Sequence, residues 1–104
     1  MSRFTVAQAA TTPPTGLAAL LLKHGTMALE YYAPRGRDAQ GPHDRDELYI
    51  VISGRGRFRN GDERHEFSPH DVLFVPAGVE HRFEEFSDDF ATWVIFWGPK
   101  GGER

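Results

Sequence analysis

The chain has 104 residues, the size of one domain, and a formal net charge of −3 from 12 basic and 15 acidic side chains. It has no cysteine, which excludes disulfides and thiolate-bound zinc. The interspersed charges argue against a nucleic acid partner, which needs clustered Lys and Arg. No apolar run approaches the roughly 20 residues that span a bilayer, and no secretory signal is recognisable. We therefore expect a cytoplasmic protein without membrane contact.

The N-terminal residues 1–16 are rich in Ala, Thr and Pro and are predicted to form a loose or partly ordered arm before a single domain of residues 17–104. The Leu- and Ala-rich segment that follows could be taken for a helix. We predict a β-hairpin instead, because His24 and Gly25 form a turn-type pair between two apolar runs and Pro34 ends the second.

The rest of the chain consists of short apolar runs separated by turn signals. The pair Asn60-Gly61 predicts a type I′ hairpin turn, and "SPHD" predicts a further turn with His70 in it. Predicted strands are "DELYIVIS", "RFR", "ERHEF", "VLFVP" (buried), "EHRFEEF" and "FATWVIFWG". Eight or so strands with tight turns predict an all-β sandwich or barrel.

The segment "HDRDELYIV" raises a question of charge burial. Side chains alternate along a strand, so His43 and Glu47 point to the face that the apolar residues then share. A buried carboxylate must be paired, protonated or bound to a cation. His81 follows a rigid Pro-x-Gly turn and is the best partner, so His43, Glu47 and His81 are candidate metal ligands. Asp44 and Asp46 fall on the opposite face and are predicted to be solvated.

The spacing of residues in two stretches carries a family resemblance. In the first stretch, three residues separate His43 from Glu47 and six separate Glu47 from Gly54. In the second, two residues separate a Pro-x-Gly turn from His81. These stretches resemble the two motifs of a small single-domain cupin. The resemblance implies a double-stranded β-helix (jelly-roll) barrel that holds one divalent metal ion (Fe, Ni, Mn, Co or Zn) through two histidines and one glutamate.

The chain departs from the family pattern at three positions. The first histidine of the His-x-His pair is Gly41, so the usual set of four ligands is one short. Gln40, a water or a substrate could take the fourth position. The opening glycine of the second motif is His70, and the closing Asn is Glu85. Glu85 is either a hydrogen-bond partner of an imidazole ligand or a solvated rim residue.

Three aromatic residues, Tyr49, Phe83 and Trp93, are candidates for the pocket wall, although core packing explains them equally well. If they line a cavity, the ligand is small and partly apolar or planar. The first hairpin and the last strand leave apolar surface that a homodimer would cover, as the family often does.

Two classes of function fit these residues. The first is a metal-dependent enzyme acting on a small organic molecule, of the oxygenase, isomerase or decarboxylase type. The second is a non-catalytic small-ligand-binding cupin, with or without metal. Fold does not decide between them, because this fold hosts many chemistries.

Overall fold

The computed structural model describes residues 2–103, which form one short helix and eight strands. The helix α1 spans Val6–Ala10. The strands are β1 (Ala19–His24), β2 (Met27–Tyr32), β3 (Asp46–Ser53), β4 (Gly56–Asn60), β5 (Glu63–Phe67), β6 (Val72–Val75), β7 (His81–Phe86) and β8 (Ala91–Trp97). The chain is therefore all-β apart from one helical turn and a half, as predicted.

The strands form two antiparallel sheets that enclose the core. One has five strands in the order β1-β2-β8-β3-β6, and the other has three in the order β5-β4-β7. Neighbours that are far apart in the sequence, such as β2 with β8 and β3 with β8, close the sheets into the predicted jelly-roll barrel. The predicted hairpin of β1 and β2 is confirmed.

The structure contains both of the turns predicted around Asn60-Gly61 and His70. The hairpin of β4 and β5 is confirmed, but Asn60 is still paired with Glu63, so the central turn residues are Gly61 and Asp62. A type I′ turn needs a positive φ at both central residues. Within residues 2–103 the only non-glycine residue with a positive φ is His70, at 77°, so Asp62 does not have one and the turn is not of type I′. His70 lies in the predicted turn before β6.

The prediction that "VLFVP" is a buried strand was wrong in part. The residues do form β6, but Val72 is 59% and Phe74 48% exposed, and only Val75 is fully buried. The reason is position: β6 is an edge strand of the larger sheet, and alternate side chains point out of the barrel.

Aromatic side chains from both sheets fill the barrel. Phe58, Phe83 and Phe90 are buried together, with Phe83 and Phe90 rings 4.6 Å apart between centroids. Such edge-to-face and tilted contacts add to the energy of burial. This packing leaves a rigid wall on one side of Glu47 and His81.

The N-terminal arm contains α1, which the sequence analysis did not predict. Thr5 caps it by accepting a hydrogen bond from the Gln8 backbone N–H, and Ala9 is buried. The division into an arm of residues 1–16 and a domain of residues 17–104 stays a prediction. Across residues 2–103, helices fall short of the length and apolarity needed to cross a membrane.

Candidate metal centre

Strand β3 carries Glu47 into the interior. The side chains of Glu47, Tyr49 and Val51 alternate inward and are all fully buried, with Glu47 0% exposed. Glu47 lies opposite Val75 on one side and Phe96 on the other. A carboxylate is thus fixed between two apolar neighbours on the strand that lies between β8 and the edge strand β6.

The smaller sheet supplies His81, the first residue of β7, which is 1% exposed. The Gly78 backbone N–H in the preceding turn donates to the His43 carbonyl at 2.7 Å. That bond fastens the turn to the loop that carries His43. The loop before β3 and the start of β7 therefore bring the imidazoles of His43 and His81 close together.

His43 precedes β3 and lies at the rim, partly exposed, with its ring 5.0 Å from that of Phe96 between centroids. Its Nε2 atom is 3.9 Å from Glu47 Oε1, and His81 Nε2 is 3.0 Å from the same oxygen. One ligand atom from each residue lies within 4.8 Å of the others. Two ligands that are each about 2.1 Å from a common ion lie roughly 3 to 4 Å apart, so the cluster has suitable dimensions.

Among the residues that the structure describes, three polar atoms of this cluster lack a hydrogen bond. Within residues 2–103, both Glu47 carboxylate oxygens and His81 Nε2 are buried without a hydrogen bond. His81 Nδ1 is 3.0 Å from the Val79 carbonyl, which can only accept, so Nδ1 carries a proton and the neutral form of the ring directs an Nε2 lone pair at Glu47. A second proton on Nε2 would satisfy that atom and Glu47 Oε1 but not Oε2, whereas a divalent cation can bind all three atoms. The donor set therefore fits a metal ion.

The two imidazoles differ in pKa. Burial, the largest influence on His81, lowers its pKa, but the Glu47 carboxylate and the Val79 carbonyl together raise it above the ordinary value of 6.5. Burial also lowers the pKa of His43, and here it prevails over the attraction of Glu47. A neutral imidazole is the form that binds metal, so burial keeps His43 available as a ligand.

Gln40 lies beside the cluster. Its Oε1 accepts a hydrogen bond from the Tyr49 hydroxyl at 2.9 Å and is 3.1 Å from His43 Nε2. Its side-chain amide donates to Asp38 at 2.9 Å. The amide oxygen therefore faces the cluster on the side of His43.

Sequence reasoning missed Asp38, which is buried and organises this region. Its carboxylate accepts hydrogen bonds from the Gln40 backbone and side chain, the Phe83 backbone N–H and the Tyr32 hydroxyl. The bond to the Gln40 backbone closes an Asx-turn, which the spacing Asp-x-Gln could have indicated. Asp38 thus holds Gln40 in place beside the candidate metal ligands.

A cavity of about 210 Å³ opens beside His43. Sequence reasoning also missed Glu30 on its wall, although the alternation in "MALEYY" places Glu30 on the inward face with Ala28 and Tyr32. The cavity is lined by Thr15, Leu17, Ala18, Glu30, Tyr32, Gln40, His43, Val94 and Phe96.

The three aromatic residues proposed for the pocket wall lie elsewhere. Tyr49 and Phe83 are fully buried in the core, behind the cluster. Trp93 lies on the face of β8 opposite the buried Thr92 and Val94, with its ring edge-on to Tyr31 at 6.0 Å between centroids. The register of β8 directs even-numbered side chains inward, so Trp93 points outward.

The structure decides between the two alternatives for Glu85. Arg57 pairs with Glu85 while Phe58 pairs with Phe83, so β7 has a bulge there, and Glu85 is not an imidazole partner. Glu85 is exposed as a result. The prediction that Asp46 is solvated was wrong. Asp46 is buried, and its carboxylate accepts hydrogen bonds from the backbone N–H groups of Ala77 and Glu103.

Residues 28–97 match the family model described as "Cupin domain". The chain is 37% identical over 81 residues to the uncharacterized protein SCO3923 of Streptomyces coelicolor, covering 76% of this chain and 77% of that one. It is 33% identical over 73 residues to RhaS of Mannheimia succiniciproducens, an HTH-type transcriptional activator, covering 70% of this chain but only 27% of that protein. A Klebsiella pneumoniae protein with a double-stranded β-helix domain superposes with a TM-score of 0.73 at 13% identity, covering 93% of this chain and 90% of that one.

Proposed function

Because the chain belongs to the cupin family, we propose that it binds one divalent metal ion through His43, Glu47 and His81 and acts as an enzyme on a small organic molecule. The observation that carries the proposal is the set of buried, unpartnered atoms on Glu47 and His81 beside an open cavity. Each buried polar atom left without a partner costs ~1–3 kcal/mol of folding free energy, and a bound cation offsets that cost.

When bound, the ion (Fe, Ni, Mn, Co or Zn) supplies Lewis acidity or a binding position for dioxygen and substrate, which suits oxygenase, isomerase or decarboxylase chemistry. The residues of the chain position it. The Val79 carbonyl fixes the tautomer and the orientation of His81. Val94 and Phe96 exclude water from one wall of the cavity, and Gln40 stands beside the ligands as a fourth ligand or as the hydrogen-bond partner of His43.

The test is metal content per chain of untagged protein by elemental analysis, with Glu47→Ala and His81→Ala as variants. We expect about one equivalent in wild type, lost in both variants and retained in the control His65→Ala, which removes an exposed imidazole outside the cluster. Wild type that takes up no metal on reconstitution would overturn the proposal. The identity of the metal then decides which activity is assayed. Iron would call for oxygen-consumption assays, and zinc or manganese for assays with isomerase and lyase substrates.

A second candidate function is the binding of a small ligand without turnover. The relative RhaS supports it, because that protein is described as a transcriptional activator and not as an enzyme, although the match covers only 27% of it. Metal and ligand binding without product in turnover assays would favour this alternative over the enzyme.

We also propose that the chain forms a homodimer through the outer face of the larger sheet. Two cross-strand rows cover that face: Tyr31, Trp93, Ile50 and Val72, and Leu29, Ile95, Leu48 and Phe74. All eight are at least partly exposed, and none is charged. Large contiguous apolar patches mark interaction sites, and a two-fold axis brings the same face of two copies together. The cytoplasmic location stays a prediction.

A further inference from the structure

The cavity beside the metal centre contains a single carboxyl group among its lining residues, that of Glu30. Glu30 lies in the middle of β2, paired with Val94, and its side chain points to the inward face of the sheet between Ala28 and Tyr32. It shares the cavity with His43, one of the three proposed ligands. A molecule that occupies the cavity therefore meets His43 and Glu30 together.

The carboxyl group of Glu30 is not used by the fold. Within residues 2–103 it has no hydrogen bond and no ion pair, although it is half-buried. Burial and the Glu47 carboxylate raise its pKa, and Arg45 opposes them. An unpaired carboxyl group in such surroundings favours a ligand that brings a donor or a positive charge to it.

The Tyr32 and Gln40 side chains of the cavity are already engaged. The Tyr32 hydroxyl donates to Asp38, and the Gln40 side chain is hydrogen-bonded to Asp38 and Tyr49. Leu17, Ala18, Val94 and Phe96 are apolar. Besides the neutral Thr15 hydroxyl, Glu30 is thus the charged acceptor among the lining residues that can orient a ligand, and an anionic end group would be repelled by it.

We propose that Glu30 is a specificity-determining residue that selects small substrates with an ammonium or hydroxyl group at the end opposite the metal-binding group. The proposal rests on the metal site proposed above. At about 210 Å³ the cavity is smaller than the pockets that take drug-sized molecules, of about 300–1,000 Å³, so the substrate has few heavy atoms. An apolar end group would bury the carboxyl group without a partner.

The experiment compares three hydroxamates of equal length on the metal-loaded protein: 4-aminobutanohydroxamate, 4-hydroxybutanohydroxamate and pentanohydroxamate. Each binds a divalent ion through the hydroxamate, and they differ only at the far end. Calorimetric titration should show the amino probe binding about tenfold or more tightly than the pentano probe. In Glu30→Gln the amino preference should fall to within about twofold while the hydroxyl preference persists, and in Glu30→Leu the pentano probe should bind best.

The matched control is Glu63→Gln, which makes the same charge change on the exposed β4–β5 hairpin and should leave all preferences unchanged. Metal content, measured on every variant, separates the two proposals. Stoichiometric metal with equal affinities for the three probes, or an amino preference that survives in Glu30→Gln, would overturn the role of Glu30 alone. Wild type without metal would overturn the metal site and this inference with it.

Discussion

His81 Nε2 lies 3.0 Å from Glu47 Oε1, and both atoms are buried without a hydrogen bond inside residues 2–103. The Nδ1 proton of His81 is directed at the Val79 carbonyl, so in the neutral form of the ring two lone-pair-bearing atoms face each other across the barrel. Repulsion between them is relieved by a cation. This relationship joins the two sheets, because β3 carries Glu47 and β7 carries His81.

Divalent metal should stabilise the wild type but not Glu47→Gln. The ion binds only the folded protein, so an excess of 100 times the Kd adds about 2.7 kcal/mol to the free energy of unfolding. Urea unfolding with added Mn²⁺ or Ni²⁺, and with EDTA as reference, measures the difference. His65→Gln is the control and should respond as the wild type does. An equal gain in Glu47→Gln would place the stabilising ion elsewhere.

Gly41→His should tighten metal binding. A Cβ at Gly41 meets no heavy atom within 4 Å, so the side chain has room, and it restores the histidine that the family motif has at this position. One more ligand slows release of the ion, and we expect at least a tenfold lower Kd in competition with a chromophoric chelator. Gly41→Ala controls for the backbone change. Unchanged affinity in Gly41→His would show that residue 41 cannot reach the ion.

Asp38→Ala should destabilise the fold strongly. It leaves the Phe83 and Gln40 N–H groups and the Tyr32 hydroxyl without an acceptor in a buried region. At ~1–3 kcal/mol for each unpaired group, the loss should be about 3 kcal/mol or more. Urea unfolding without metal measures it. The exposed Asp44→Ala should change stability by no more than ~0.5 kcal/mol, and an equally small loss in Asp38→Ala would contradict the prediction.

Asp46 should contribute to stability above pH 4 and lose that contribution in acid. The backbone N–H groups of Glu103 and Ala77 hold the pKa of Asp46 below its ordinary value of 3.8. A depressed folded-state pKa stabilises the protein fully above the unfolded value, and the contribution declines as pH falls through the folded value. The stability difference between wild type and Asp46→Asn should therefore shrink below about pH 4. Unfolding in EDTA from pH 7 to pH 3 tests this. A constant difference, such as we expect for the exposed Asp44→Asn, would refute it.

Phe74→Lys should convert the proposed dimer to a monomer of 11.7 kDa. Phe74 is 48% exposed on the outer face, so a lysine there is tolerated by the monomer but places a charge in the interface. Sedimentation equilibrium measures the mass. Leu17→Lys is matched in exposure, at 56%, but lies outside the cross-strand rows and should stay dimeric. A wild type that sediments as a monomer at tens of micromolar would exclude this interface.

The sequence by itself determined where the strands lie and which three side chains, those of His43, Glu47 and His81, form the candidate metal cluster. Alternation along "DELYIV" placed Glu47 on the buried face, and turn residues ended the strands near the bounds that the structure has. Both are local properties: side-chain direction in a strand depends only on residue parity, and turn chemistry depends on a few neighbouring residues. The spacing of His43, Glu47 and His81 carried the family resemblance for the same reason.

Only the tertiary structure decided which residues surround the candidate metal centre. The bulge in β7 turned Glu85 outward, and the register of β8 turned Trp93 away from the interior, because pairing between distant strands sets both. Asp38 reaches Phe83 across 45 positions of sequence, and Glu30 meets His43 only because β2 pairs with β8. Long-range hydrogen bonds fix these neighbours, and no short stretch of sequence contains them.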